Sequence, residues 1–239
     1  MSTLTLVRHG QATPFKTVTD DLSELGEAQA RALGEYWVRR QVRFDAVYSG
    51  TLVRHRKTQA GVAGICAAAG HPWPEAAFDS DLNEYDGDGI VRILAPLLAD
   101  RDASFREAFE ASRAHAHTSE RNRYFQRMFE RVATQWREGT VTHPDVEPWV
   151  AFYGRVRGAL KRLMAAEAGN RRVVVFTSGG PIGVAVQSVL RAPEESAVQL
   201  NWRVRNGSLT EFVFSADRIS LDAFNTIPHL EDPALQSFR

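Results

Sequence analysis

The most constraining feature of the sequence is an apolar run near its start that stops abruptly at charged residues and a glycine. Thr3 to Val7 is rich in leucine and β-branched residues, and it is followed directly by Arg8-His9-Gly10. A short apolar run that ends in a turn signal is typical of a buried strand. The polar residues that follow such a strand therefore lie at its carboxyl end, where open α/β sheets bind their ligands.

The same pattern of a strand followed by a helix recurs in the first third of the chain. After a polar loop, Ser23 is placed to cap a helix with regularly spaced apolar residues. Residues 45–49 then read as a second short strand, and Leu52 to Ala69 as a second helix that ends before a glycine and a proline. Strands that alternate with helices in this way pair in parallel.

The last third of the chain repeats this alternation of helices and strands and then ends in two consecutive strands. A helix is predicted from about Trp149 to Ala168, a strand over 172–176, and a further helix from near Pro181. Residues 204–214 and 219–225 are predicted as the two strands of a C-terminal hairpin. The sequence therefore predicts an α/β fold, a three-layer sandwich with a mostly parallel central sheet.

Residues 88–148 carry no strand signal and are helical and polar. We predict one domain over residues 1–239, with 88–148 as a helical insertion that caps one end of the sheet. The arginines between Arg121 and Arg131 lie among aromatic residues. This pattern is typical of an amphipathic helix, with the arginines on its solvated face and the apolar residues on the other face. The alternative is that these arginines attract anionic ligands to a site entrance.

Composition narrows the classes of partner and compartment. The 239 residues include 29 basic and 29 acidic side chains, and this zero net charge argues against a general nucleic-acid surface. No apolar run approaches the roughly 18 residues that a membrane span needs. The start lacks the pattern of a secretory signal and Cys66 cannot form an internal disulfide, so we expect a cytoplasmic protein. Both a monomer and a homo-oligomer fit these observations.

Four residues at the predicted strand ends and helix starts suit phosphoryl chemistry. Arg8 and Arg54 are placed to converge on one anion through bidentate hydrogen bonds. The imidazole of His9 would then be free to attack a phosphorus atom. Glu84 lies just before the insertion, where its carboxyl group could protonate a departing oxygen.

Several segments carry a resemblance to a known family. They are LVRHGQAT at 6–13, LSELGEAQA at 22–30, YSGTLVR at 48–54, NGSLT at 206–210 and FNTIPHL at 224–230. Together they resemble the histidine phosphatase superfamily, also called the phosphoglycerate mutase-like family. The resemblance extends from the first strand to the region of Glu84 and resumes at Trp149, so the insertion lies outside it.

The resemblance implies a function and the roles of four residues. His9 would be phosphorylated during turnover, Arg8 and Arg54 would hold the transferred phosphoryl group, and Glu84 would be the proton donor. It also implies a small phosphorylated substrate and an enzyme that needs no metal or other cofactor. The expected activity is hydrolysis of small phosphate esters rather than mutase chemistry.

One position departs from the family pattern. After the strand that precedes the last large helix the family pattern has a histidine followed by glycine, and that histidine contacts the phosphoryl group beside the nucleophile. This chain has Ser178 followed by Gly179 and Gly180 instead. A serine donates one hydrogen bond but supplies no imidazolium charge, and loss of one transition-state donor typically costs roughly 10²–10³ in rate. The backbone N–H groups of the two glycines, at a helix N-terminus, would partly replace that charge.

This departure leaves three functions open. The first is a phosphohydrolase that works through a phosphohistidine at His9, weakened by Ser178. The second is a catalytically weak or inactive protein that binds phosphate esters and has a regulatory role. In the third, Ser178 is itself a hydrolase nucleophile, although Phe176 occupies the position of the first glycine of the usual elbow motif.

The remaining histidines are expected to have structural roles. His55 follows Arg54 directly, and neighbouring helix residues point about 100° apart, so we expect Arg54 to face the site and His55 to point away. His229 is expected to pack or to form hydrogen bonds rather than to act as a second base. No histidine has a convincing metal-binding spacing with carboxylates or with Cys66.

Overall fold

A computed structural model describes residues 1–13 and 20–238, and its strands and helices alternate as the sequence predicts. The strands are β1 (Ser2–Arg8), β2 (Ala46–Ser49), β3 (Ala76–Phe78), β4 (Arg172–Thr177), β5 (Leu209–Phe214) and β6 (Ile219–Thr226). The helices are α1 (Glu24–Arg39), α2 (Val53–Ala68), α3 (Gly87–Gly89), α4 (Ala95–Arg101), α5 (Ala103–Ala114), α6 (Arg121–Glu138), α7 (Trp149–Ala166), α8 (Gly179–Leu190) and α9 (Glu195–Asn201). A π-helical turn over Ile90–Leu94 joins α3 to α4.

The strands of the described part of the chain form one six-stranded sheet in the order β3-β2-β4-β1-β5-β6. Strand β4 pairs in parallel with β1 and with β2, and β2 pairs in parallel with β3. Strand β5 pairs antiparallel with β1 and with β6, so the C-terminal hairpin forms the β6 edge of the sheet. The predicted α/β fold, with a mostly parallel sheet and a C-terminal hairpin, is therefore confirmed.

Both faces of the central strands β1 and β4 are buried, as expected for a sheet with helices on both sides. Val7 and Val174 point to the face on which Leu33 of α1 and Val62 of α2 complete one hydrophobic cluster. Successive side chains of a strand point to opposite faces, yet Leu6 beside Val7 is equally buried. The strands can therefore be apolar throughout, as the run that opens the chain is.

Two glycines let the loop after β1 lie directly against the start of α1. Ser23 caps this helix as predicted, and its side-chain oxygen accepts a hydrogen bond from the backbone N–H of Gly26. A Cβ atom on Gly10 would overlap the carbonyl oxygen of Gly26, and a Cβ atom on Gly26 would overlap the carbonyl oxygen of Gln11. This close backbone approach fixes the loop that carries His9.

One predicted boundary is wrong, and two short elements were not predicted. The strand predicted over 204–214 begins only at Leu209, because the chain turns through Gly207, whose positive φ of 71° breaks an extended run. The sequence also gave no signal for α9. Strand β3 was missed because three residues are too few to show an alternating pattern.

The chain divides into two compact units, one formed by Met1–Glu84 with Arg155–Arg239 and the other by Tyr85–Gly154. The predicted insertion over 88–148 lies within the second unit, and its role as a cap stays a prediction. That unit is helical, and the Trp136 ring of α6 packs against Tyr85 and Trp149 at ring-centre distances of 5.1 and 5.4 Å. Among the described residues, no helix combines the length and the apolar character that a membrane crossing requires.

We expect the Gly26→Ala variant to be destabilised by about 1–3 kcal/mol, because the added methyl group forces two backbone segments apart. The matched control is Gly64→Ala, in a helix interior where nothing lies within 4 Å of the added methyl group. This control should be neutral or more stable by about 0.5–1 kcal/mol, since alanine favours helix over glycine. Urea unfolding measures both, and equal effects of the two substitutions would contradict the close approach.

Candidate active site

The register of the parallel strands brings three chain segments together at the carboxyl ends of β1, β2 and β4. Arg8 at the end of β1 pairs with Thr177 at the end of β4, and Ser49 at the end of β2 pairs with Phe176. The residues that follow these strands therefore meet, as the sequence predicts for the carboxyl ends of parallel strands. His9, Arg54 and Ser178 are connected there by direct contacts.

The backbone and ring of His9 are held by hydrogen bonds. Its backbone N–H donates to the carbonyl oxygen of Thr177 at 2.9 Å, and the next N–H, of Gly10, donates to Thr58 Oγ1 at 3.0 Å. The ring nitrogen Nδ1 lies 2.6 Å from the carbonyl oxygen of Gly10. Because a carbonyl oxygen only accepts, this contact places the ring proton on Nδ1 and leaves Nε2 with its lone pair.

The other ring nitrogen of His9 faces a guanidinium group. Arg54 Nε donates a hydrogen bond to His9 Nε2 at 3.1 Å, which agrees with a lone pair on that atom. Burial lowers the pKa of His9 well below 6.5, and the charges of Arg54 and Arg8 lower it further. His9 is therefore a neutral imidazole in a positively charged setting.

Arg54 links the histidine to two further groups. Its Nη2 atom lies 3.5 Å from Ser178 Oγ, and its Nη1 atom forms a short ion pair with Asp20. The other carboxylate oxygen of Asp20 accepts a hydrogen bond from the backbone N–H of Val53 at 2.6 Å, at the start of α2. The sequence offered no signal for Asp20, because it lies in a polar loop far along the chain from its partner.

Arg8 is also buried beside His9. Its Nη1 atom donates a short hydrogen bond to the carbonyl oxygen of Val204, which orients the guanidinium group. The charge of Arg8 contributes to the lowered pKa of His9. Arg8 and Arg54 thus border the same imidazole from separate segments of the chain.

Glu84 also reaches the carboxyl end of β4. Its Oε2 atom accepts a hydrogen bond at 3.1 Å from the backbone N–H of Gly180, in the first turn of α8. The loop that carries Glu84 is held by Arg155 of α7, which donates to the backbone carbonyl oxygens of Asp81, Asn83 and Glu84 at 2.8–3.2 Å. Arg155 has no motif around it, and its role becomes visible only in the folded chain.

The expectation that His55 points away from the site is wrong. His55 is fully buried, and its Nε2 atom lies 2.6 Å from Ser178 Oγ. The long side chain of Arg54 bends to reach His9 and Ser178, so two adjacent helix residues contact the same serine from different directions. An angle of about 100° between neighbouring side chains does not separate them when one of them is that flexible.

The two glycines after Ser178 differ in their surroundings. The N–H of Gly180 donates to Glu84 rather than remaining open to a ligand. A Cβ atom on Gly179 would overlap the side-chain oxygen of Asn201, so close packing explains why this residue is glycine. A phosphate contact from the Gly179 N–H stays a prediction.

The other predicted candidates lie outside this group of contacts. His229 is buried near Tyr36, and neither of its ring nitrogens has a hydrogen-bond partner among the described residues. Burial lowers its pKa to about 4. In the second unit, Arg131 of the predicted arginine cluster donates to Ser104 at 2.8 Å. Across residues 1–13 and 20–238, no group of three metal-binding side chains was found.

Comparison with known proteins identifies the family. The sequence profile of the histidine phosphatase superfamily (branch 1) matches the chain over residues 4–138 and 93–227. The chain therefore belongs to this superfamily, as its motifs indicate. No curated protein matches it by sequence.

Solved structures share its fold at low sequence identity. A phosphoserine phosphatase variant from Entamoeba histolytica, in complex with phosphoserine, is 17% identical with a TM-score of 0.60, over 96% of this chain and 100% of the other. A mycobacterial glucosyl-3-phosphoglycerate phosphatase with inorganic phosphate is 22% identical with a TM-score of 0.62, over 96% and 99%. A phosphoglycerate mutase from Bacillus anthracis is 16% identical with a TM-score of 0.59, over 95% and 94%.

We expect His9 to stay neutral, with its proton on Nδ1, at a pH at which a solvent-exposed imidazole is mostly protonated. Because its pKa lies below the usual value, the ring gains a proton only under more acid conditions. Long-range proton–nitrogen NMR spectra report both tautomer and charge, with the His9→Gln variant for assignment and 4-methylimidazole as internal reference. If His9 gains its proton over the same pH range as 4-methylimidazole, or if its proton in the neutral ring lies on Nε2, the geometry is contradicted.

Proposed function

We propose that this protein hydrolyses small phosphate esters through a phosphohistidine intermediate at His9. The observation that carries the proposal is the state of that ring, with Nδ1 held by the Gly10 carbonyl oxygen and Nε2 left with its lone pair beside Arg54. A neutral imidazole with its lone pair directed into a pocket of positive charge is suited to attack phosphorus.

In the first step, His9 Nε2 forms a bond to phosphorus while the bond from phosphorus to the ester oxygen breaks. Glu84, protonated at the start of this step, gives its proton to the departing oxygen. The product alcohol leaves, and a phosphohistidine remains. Glu84 is then a carboxylate whose Oε2 atom can still accept the hydrogen bond from Gly180.

In the second step, water attacks the phosphohistidine. Glu84 takes a proton from this water, the new oxygen–phosphorus bond forms, and the bond from phosphorus to Nε2 breaks. Inorganic phosphate leaves, and both His9 and Glu84 return to their starting states. The same carboxyl group therefore acts first as an acid and then as a base.

The two arginines supply the electrostatic stabilisation that phosphoryl transfer needs. In the free protein Arg54 donates to His9 Nε2 and pairs with Asp20. A bound phosphoryl group would accept from Arg54 in place of the imidazole, which frees the lone pair of His9 for attack. Arg8 contributes a second positive charge next to the same ring.

The relatives with a similar fold support a small phosphorylated substrate. The phosphoserine phosphatase from Entamoeba histolytica was crystallised with phosphoserine, as a variant, and with 3-phosphoglyceric acid. The substrate of this chain is proposed only as far as that class, a small phosphate monoester.

A second function is favoured by one observation, which is serine rather than histidine at position 178. Arg54 contacts Ser178 only at 3.5 Å, and a serine adds no charge of its own. A pocket of this kind would bind phosphate esters with little or no turnover, as in a regulatory protein. The two functions differ in whether a phosphohistidine forms.

We expect the wild-type protein to hydrolyse 4-nitrophenyl phosphate and to form an acid-labile, alkali-stable phosphoenzyme. The His9→Ala variant should lose both, because it lacks the attacking nitrogen. The control is His117→Ala, at an exposed histidine, and it should keep wild-type activity. A stopped assay with labelled phosphate measures turnover and the intermediate together.

Two outcomes of this assay would contradict the proposal. If the wild type is inert and Ser178→His gains turnover, the protein binds phosphate esters without hydrolysing them. If activity survives His9→Ala and is lost in Ser178→Ala, the serine is the nucleophile.

We expect the Glu84→Gln variant to lose roughly 10²–10⁴ in kcat/KM with an alkyl phosphate such as phosphoserine, because the departing alkoxide needs a proton. This ratio reports the phosphorylation of His9 and excludes the later step, common to all substrates, in which Glu84 acts as a base. The loss should be much smaller with 4-nitrophenyl phosphate, whose leaving group is stable as an anion. Glutamine keeps a side-chain oxygen for the Gly180 N–H, so the contact itself is preserved. Equal losses with both substrates would show that Glu84 is not the acid.

A further inference from the structure

A second imidazole reaches the candidate site from helix α2. His55 is fully buried, its Nε2 atom lies 2.6 Å from Ser178 Oγ, and its ring centre lies 5.6 Å from that of His9. Ser178 is also fully buried, and its Oγ atom is the point at which Arg54 and His55 meet. The position that lacks a histidine is therefore in direct contact with one.

The space for this ring exists because residue 50 is glycine. A Cβ atom on Gly50 would overlap His55 Nδ1 and would lie 2.9 Å from Cε1 of the same ring. The backbone of Gly50 does not have a positive φ, so its conformation does not require glycine. The His55 ring can therefore occupy its position only while residue 50 has no side chain.

The hydrogen bonds at Ser178 Oγ can be counted. A hydroxyl group accepts through two lone pairs and donates one hydrogen. If His55 carries its proton on Nε2, Oγ accepts from both His55 and Arg54, and its own hydrogen is left for a third group. If the proton is on Nδ1 instead, a buried N–H has no acceptor among the described residues. Buried N–H groups without a partner are rare, which favours the first arrangement.

We propose that His55 is a positioning residue, whose Nε2–H holds Ser178 so that the serine O–H donates to the phosphoryl group at His9. The pair would supply, from α2 and from the start of α8, the contact that a single histidine supplies in the family pattern. This inference rests on the proposed function, because it assigns a role in the same phosphate pocket.

The first test separates a donor from a base at position 55. His55→Ala should lower kcat/KM for 4-nitrophenyl phosphate roughly tenfold, the cost of about 1.4 kcal/mol in the transition state. His55→Gln should recover most of that loss, because the glutamine amide can place an N–H donor near the position of Nε2. Equal losses in the two variants would overturn the proposal.

The second test is a double-mutant cycle between His55→Ala and Ser178→Ala. Ser178→Ala should cost roughly 10²-fold, as the loss of one transition-state donor does. Once the serine is removed His55 has nothing to position, so the double variant should be no slower than Ser178→Ala alone. Additive losses would overturn the proposal.

The third test uses Gly50→Ala, whose methyl group would displace the ring. In the wild-type background it should cost at least the loss seen in His55→Ala. In the His55→Ala background its loss should be roughly tenfold smaller, because the ring is already absent. A Cβ atom at residue 50 would also lie 2.8 Å from Asn83 Oδ1, and a loss from that contact is common to both backgrounds, so it cancels in the comparison. Equal losses in the two backgrounds would overturn the link between Gly50 and His55.

Binding of orthovanadate, a mimic of the transition state at phosphorus, distinguishes failure of this inference from failure of the proposed function. If the wild type has no turnover but His55→Ala weakens vanadate binding roughly tenfold and His55→Gln restores it, the inference holds and hydrolysis does not. Unchanged vanadate affinity in His55→Ala, or no vanadate binding by the wild type, would overturn the inference. Activity that survives His9→Ala but is lost in His55→Gln would also overturn it and identify His55 as a base for Ser178.

Discussion

The parallel pairing of β1 with β4 is the constraint on which the site depends. This pairing places Arg8 opposite Thr177, and the N–H of His9 continues the ladder to the carbonyl oxygen of Thr177. A slip of one residue would exchange the two faces of a strand, and both faces are packed here. The register is therefore fixed by burial along the whole strand, and it carries His9 and Ser178 to the same edge.

The electrostatics of the site depend on imidazoles that remain neutral. Two guanidinium groups lie beside His9, and one of them also lowers the pKa of His55 after the larger effect of burial. A protonated imidazole at either position would repel these arginines and would lose its lone pair. Neutral rings leave the net positive charge with Arg8 and Arg54, and this charge favours an anion at the site. Asp20 offsets part of that charge in the free protein.

The histidine missing from the end of β4 illustrates how a pocket is defined by atoms rather than by positions in the chain. Ser178 has no imidazole of its own, but α2 starts close enough for His55 to place its imidazole against the serine hydroxyl. Gly50 provides the space. Two features that look unrelated in the sequence, an unusual serine and a glycine after a strand, become parts of one arrangement once β2 and β4 are paired.

The sequence by itself determined the order of the main strands and helices, because apolar periodicity and cap residues such as Ser23 act over a few neighbouring positions. It also determined the candidates His9, Arg8, Arg54 and Glu84, whose residue types suit phosphoryl transfer wherever a sheet edge gathers them. Only the tertiary structure decided that His55 contacts Ser178, that Asp20 pairs with Arg54, and that Arg155 holds the loop of Glu84. These contacts join residues that are between 34 and 123 positions apart or depend on the direction of a flexible side chain. Local pattern carries no information about either, because both are set by how the packed elements meet.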